Sequence, residues 1–288
     1  MKLELAGLRF EVTSEGGLTS AEIEAMLTLG ASDSRFSAGS SFFQLELVSP
    51  EEPAIPDAAE QITGPAQITS RGDTVIVSHS RFVAELDPLA CRGRLTRNSQ
   101  CSAALEITLR TALCCVLPLQ GGVALHAAGI DVDGRGMVFF GPSGAGKTTF
   151  SSLSPYPVFS DELVAVTGSP WKLHRTGVWG ELGHCANAAE QPQRLTLLGE
   201  LAKGTEFELQ PLDETSALRR LLGVVVLPPS IPLWTEATRV LRDLVTSIPV
   251  YRMSWSPDHP PWVGLENQLA GSVAQPQENT AVATRSVI

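Results

Sequence analysis

Over residues 1–98 apolar and polar positions alternate in short runs. KLELAGLRFEV, FFQLELV and DTVIVSHSRFVAELD carry the two-residue period or the β-branched enrichment of strands. Ser70-Arg71-Gly72-Asp73 reads as a hairpin turn, Pro53 to Pro65 as an acidic proline-bearing loop, and SAEIEAML, beginning at Ser20, as one helix. The period then changes. Ala103, Leu105, Leu109, Leu113 and Val116 mark a face of a helix over 99–117, stopped by Pro118 and the Gly121-Gly122 pair. In VALHAAGIDVDGRGMVFFGPSGAGKTTF two apolar runs flank Asp133-Gly134, which predicts an antiparallel hairpin leading into Gly141. Pro155 and Pro157 leave room for only a short helix after that loop. VFSDELVAV then reads as a strand, followed by a turn at Thr167 to Pro170. From 193 to 247 helical stretches (SALRRLLG, TEATRVLRDLVTS) alternate with strand-like runs (RLTLLGEL, VVVLPP). Beyond Gly264 small polar residues predict a disordered tail over 264–288.

The expected organisation is therefore α/β (α+β): a smaller β-rich region at 1–98 and a larger mixed-sheet domain at 99–263. Composition adds limits. Of 288 residues 43% are hydrophobic and 18% charged, enough for a large core. The net charge of -10, from 21 basic and 31 acidic residues with no basic cluster, argues against nucleic acid or an anionic membrane as partner. MKLELAGLRFEV lacks the basic and apolar blocks of a signal peptide, and no apolar window is long enough for a membrane span, so a cytoplasmic protein is expected. The five cysteines, Cys91, Cys101, Cys114, Cys115 and Cys185, have no metal-ligand spacing and read as reduced thiols, with Cys114 and Cys115 buried in a helix.

The chemistry starts at Gly141, Pro142, Ser143, Gly144, Ala145, Gly146, Lys147 and Thr148, which fit G-x-x-x-x-G-K-[ST] between an expected strand and an expected helix. Glycines let the backbone turn tightly and aim N–H groups at phosphate oxygens. Lys147 is placed against the β- and γ-phosphates, and Thr148 offers a hydroxyl to Mg²⁺. Thr149 is an ordinary first-turn residue beside the phosphates. The second feature is Asp161-Glu162. Mg²⁺ favours carboxylates, and transfer of a phosphoryl group to a hydroxyl needs a carboxylate to accept the proton. Adjacent strand residues face opposite ways, so both reach one site only at a strand end or a bulge, and unequal roles follow. The third is His126, fifteen positions before Gly141, which shares a strand face with Ala124, Ala128 and Ile130. It is either a buried, hydrogen-bonded core histidine or, through the hairpin, a neighbour of Asp161 and the γ-phosphate.

Together, LHAAGIDVDGRGMVFFGPSGAGKTTF and VFSDELVAV resemble the HPr kinase/phosphorylase group of P-loop proteins, whose nucleotide fold is shared with phosphoenolpyruvate carboxykinase. The resemblance covers residues 120–255, with its weight on His126, the glycine loop and the acidic pair. It implies a mixed-sheet P-loop kinase domain using ATP and Mg²⁺. In it Lys147 and Thr148 bind phosphate and metal, Asp161 acts as base toward the acceptor hydroxyl beside His126, and Glu162 supports the metal. RTGVWGELG is similar to a stretch in HPr-kinase-like proteins, which makes Arg175 and Glu181 candidates for the acceptor side. The chain departs from the group in having Glu as the second acid and in lacking Glu-x-Arg-Gly-x-Gly, which argues against HPr as substrate.

Two function classes remain. One is an ATP-dependent kinase moving the γ-phosphoryl group to a hydroxyl, with a serine of a peptide or small protein as acceptor. The other is a nucleotide-binding regulatory protein without transfer, which needs Lys147 and Thr148 but no acceptor base. A carboxykinase fits less well, because His79, His174, His184 and His259 show no pattern for its additional metal ligands. The sequence is compatible with a homo-oligomer.

Overall fold

The alternating N-terminal runs form strands β1 (Lys2–Leu5), β2 (Leu8–Ser14), β3 (Phe43–Val48), β4 (Gln67–Arg71), β5 (Thr74–His79), β6 (Phe82–Asp87) and β7 (Arg92–Arg97) of one mixed sheet, ordered β1-β2-β3-β7-β6-β5-β4. The computed structural model describes residues 2–14, 18–20, 43–48, 65–97, 102–178, 180–183, 188–189, 191–259 and 261–273, and for 97, 102 and 268–273 the backbone only. The helix expected over SAEIEAML lies outside the described residues. Ala6 and Gly7, both at positive φ (51° and 78°), make the two-residue turn that suits the twist between β1 and β2. Ser70-Arg71-Gly72-Asp73 is the β4–β5 hairpin, with Arg71 opposite Thr74.

Alternate residues of this sheet, among them Phe10, Val12, Leu45, Val77, Phe82 and Leu86, point to one buried face. That face packs on helix α1 (Ser102–Leu119). The helix lies between two sheets. Leu105, Leu109, Leu113 and Leu117 share a core with the first sheet, and with Ala124, Leu163 and Ala165 of the second. Each fully buried leucine contributes about 1.5–3 kcal/mol. Cys114 and Cys115 are buried here, which pushes the Cys114 thiol up to about 12 and raises Cys115 as well. Burial on several sides explains why the apolar face read from sequence is only part of the contact surface. The helix also runs through Pro118 to Leu119 before Gly121, at φ 76°, turns the chain.

The second sheet contains β8 (Gly122–Val132), β9 (Arg135–Phe140), β10 (Val158–Ser160), β11 (Leu163–Thr167), β12 (Lys172–Arg175), β13 (Gln193–Lys203), β14 (Glu208–Pro211) and β15 (Val250–Trp255). β8 and β9 form the expected antiparallel hairpin, with Asp133 and Gly134 at φ 52° and 79° and Gly134 N–H donating to Asp131 Oδ1 at 2.7 Å. β10 and β11 pair with β8 in succession, and β11–β12, β12–β13 and β13–β9 pairings close a circuit. Since β9–β13 and β13–β15 are parallel, the sheet is mixed.

Among the described residues the further helices are α2 (Lys147–Ser152), α3 (Glu214–Leu222), α4 (Ile231–Ser247) and α5 (Trp262–Val273). The chain is thus mixed α/β, with two mixed sheets and few helices. Among the described residues no helix is long and apolar enough to cross a membrane.

Three local expectations differ. VFSDELVAV is two strands, interrupted at Asp161-Glu162. VVVLPP forms no strand; Val225 makes a single bridge to Leu125, and Pro228 and Pro229, which cannot donate to a ladder, end the run. Helix α5 continues to Val273, past the expected start of the tail at 264, because Trp262 and Leu265 are buried against α2 and its surroundings.

His174 joins the two parts of the molecule. It is buried, shares a 2.8 Å hydrogen bond with Thr167 Oγ1, and lies so close to Gly7 in the β1–β2 turn that a Cβ there would sit 3.3 Å from its Cε1. Burial, with a smaller contribution from Lys172, lowers its pKa to about 4. The unfolded chain binds this proton below about pH 6.5 and the folded chain does not. Stability is therefore complete above pH 6.5 and falls as pH drops toward 4, by up to about 3 kcal/mol. Urea midpoints measured across that window should show the decline, and His174→Gln should flatten it.

Candidate functional site

Strand β9 ends at Phe140, and the chain turns through Gly144 (φ 77°) and Gly146 (φ 94°) before α2 begins at Lys147. These two positions hold left-handed backbone that side chains resist, and at Gly146 a Cβ would also stand 3.2 Å from Trp255 Cζ2. Ala145 N–H donates to Pro142 O at 3.0 Å, closing the loop. Lys147 curls over it, its Nζ donating to Gly141 O at 3.2 Å. Burial lowers the Lys147 pKa, partly offset by Glu162 and Asp161.

The acidic pair sits opposite, at the break between β10 and β11. Ser160 makes the break. Its hydroxyl is fully buried, accepts from Glu162 N–H (2.9 Å) and Leu163 N–H (3.0 Å), and donates to Val178 O (2.6 Å). A locally bent strand re-aims its side chains, so adjacent residues can serve one cleft. Asp161, 1% exposed, turns inward. It accepts from Thr148 Oγ1 at 3.0 Å, from Gly180 N–H at 2.8 Å and from Leu182 N–H at 3.1 Å. The backbone passes so near that a Cβ on Gly180 would stand 2.9 Å from Asp161 Oδ2. Thr176 anchors this covering loop by donating to Leu163 O at 2.6 Å.

Glu162 faces the open side. Its carboxylate lies 3.5 Å from His126 Nε2 and 4.0 Å from an Arg110 nitrogen. His126 is held in place by its own backbone N–H, which donates to Val224 O at 2.8 Å, and its side chain is 45% exposed, so it is no core histidine. Desolvation lowers its pKa; Glu162 opposes this, while Lys147 and Arg110 add to it.

Arg110, His126, Ser143, Gly144, Gly146, Lys147, Thr148, Thr149, Asp161, Glu162, Gly180 and Glu181 line one open cleft of about 810 Å³. The fold thus brings the loop, His126, both acids and Glu181 together. Arg175 is not among the lining residues; on β12 it pairs with Val164 of β11. Sequence reasoning missed three contributors. Ser160 and Gly180 could have been sought as the hydroxyl and glycine that a bent strand and a close backbone approach require. Arg110 had no local signal, because its place depends on how α1 packs.

Among the described residues no three His, Cys, Asp or Glu side chains converge as metal ligands. Thr148 and Asp161 with phosphate oxygens are nonetheless a donor set suited to Mg²⁺, a hard cation that keeps water and uses one or two protein oxygens. Comparison with protein-family models finds no match to this chain, and comparison with curated proteins finds none either.

Proposed function

We propose that the chain is a Mg²⁺- and ATP-dependent phosphotransferase whose acceptor is a hydroxyl, most simply a serine of a peptide or small protein. The observation that carries this reading is the Thr148–Asp161 hydrogen bond, which unites the glycine loop and the acidic pair in one cleft open to a second substrate. The HPr-kinase-like domain type and the cytoplasmic setting belong to the same proposal, which rests on the three sequence motifs.

The geometry favours exchanging the roles that the resemblance implies for the two acids. Asp161 is buried with its oxygens turned to Thr148 and two backbone N–H groups, which suits the metal side. Glu162 and His126 are the groups an acceptor hydroxyl would meet on entering. Bound Mg²⁺ would supply charge neutralisation at the phosphates. The chain's own contributions are then distinct. Loop N–H groups and Lys147 orient and neutralise the phosphates. Glu162, steadied by His126, takes the hydroxyl proton while the covering loop around Gly180 fixes Asp161.

Incubation with Mg-ATP and a serine-containing peptide library, followed by mass spectrometry and ADP detection, tests this. Acceptor-dependent ADP release with a phosphorylated product is expected. Nucleotide binding without transfer to any hydroxyl would favour the regulatory reading instead.

A further inference from the structure

Two basic side chains, Lys147 and Arg110, line the same cleft. Lys147 belongs to the loop. Arg110 comes from α1, the helix wedged between the two sheets, and enters the cleft beside Glu162. Its partnership with Glu162 is loose: one contact at 4.0 Å, with 38% of the side chain exposed. Among the described residues no hydrogen bond from its guanidinium is formed, although that group has five donors arranged to grip an oxyanion from two directions. Glu162 in turn acts electrostatically on both Lys147 and His126, so one small volume lies within reach of Lys147, His126 and Arg110. Two basic groups lining one volume favour an anion between them. His126, whose proton affinity is reduced, adds no fixed charge there.

We propose that Arg110 binds the terminal phosphoryl group of the nucleotide from the side opposite the glycine loop, and that Glu162 is the counter-ion it leaves when that group arrives. This rests on the nucleotide reading above and deepens it. The terminal group presents oxygens that Lys147 and the loop cannot all face, and a guanidinium matches them bidentately. Its departure from Glu162 also frees that carboxylate for the acceptor hydroxyl, so arrival of the phosphoryl group and readiness of the base are linked in one movement. No phosphoryl transfer is needed to observe the contact.

The test compares the calorimetric affinities of Mg-ADP and of the non-hydrolysable triphosphate analogue Mg-AMPPNP. Wild type should prefer the triphosphate by about 10- to 100-fold, the range of a charged hydrogen bond. In Arg110→Gln that ratio should fall at least about fivefold, with Mg-ADP affinity unchanged, and Arg110→Lys should retain part of it. Unchanged Mg-ADP binding also shows that the variant is folded. A smaller change in the ratio, or no triphosphate preference in wild type, overturns the assignment; this includes the case in which Arg110 serves an anionic acceptor instead. Failure of wild type to bind Mg-ADP would overturn the nucleotide reading itself, a distinct result.

Discussion

Glu162→Gln is expected to bind Mg-ATP within about threefold of wild type while losing phosphoryl transfer by about 10²- to 10⁴-fold, the range attributed to a positioned acid–base group. The substitution keeps the size of the side chain and removes only the proton acceptor that faces the cleft. Asp161→Asn should behave differently. The carboxylate accepts three hydrogen bonds, from Thr148, Gly180 and Leu182. An amide has one acceptor oxygen, so its NH₂ group would meet a donor and the covering loop would lose part of its anchor. Binding that depends on Mg²⁺ should therefore weaken at least about tenfold, from the loss of a charged hydrogen-bond partner. Calorimetry with and without Mg²⁺ and single-turnover assays on both variants separate the roles. Normal binding by Asp161→Asn together with metal-dependent loss in Glu162→Gln would restore the division implied by the resemblance.

Trp262→Ala is the substitution expected to cost most stability. Its ring packs 4.7 Å from Phe150 and 5.9 Å from Tyr156, centroid to centroid, and its Nε1–H donates to Leu153 O at 3.0 Å. Phe150 belongs to α2, the helix that follows the glycine loop, and itself packs against Phe139 in a tilted contact and against Trp255 edge to face. Truncating a buried tryptophan costs about 3–5 kcal/mol. The cost falls where α5 braces α2, so nucleotide affinity should decline together with thermal stability. Trp262→Phe keeps the ring contact and removes the Leu153 hydrogen bond, a loss of about 1 kcal/mol from that bond. Calorimetric unfolding of the two variants checks the order: Ala well below Phe, and Phe a little below wild type. Equal stability of Ala and wild type would show that α5 contributes nothing to the loop's support.

Much of this architecture was legible because its signals are local. Asp133-Gly134 specifies a hairpin through two positive-φ positions, and Gly144, Gly146 and Lys147 carry the loop in their own chemistry. The β-rich character of 1–98 follows from alternation. Other features depend on contacts distant in sequence. VFSDELVAV has the composition of one strand, yet Ser160 finds Val178 O as well as two nearby N–H groups and bends it. Arg110 reaches Glu162 only because α1 packs against β8. Helix α5 owes its place to a tryptophan and a leucine that bury against α2 and its surroundings, in a stretch whose small polar residues predict no order. Each miss is a case in which tertiary contacts decide what local preference leaves open.

The central claim is that the cleft binds a nucleotide through its glycine loop, and calorimetry of Mg-ATP with wild type and Lys147→Ala tests it most directly. The account predicts a saturable interaction in wild type that falls at least about 100-fold when the lysine is removed, as expected for a buried charge–phosphate contact. Equal affinity in the two proteins, or no binding in wild type, would contradict it.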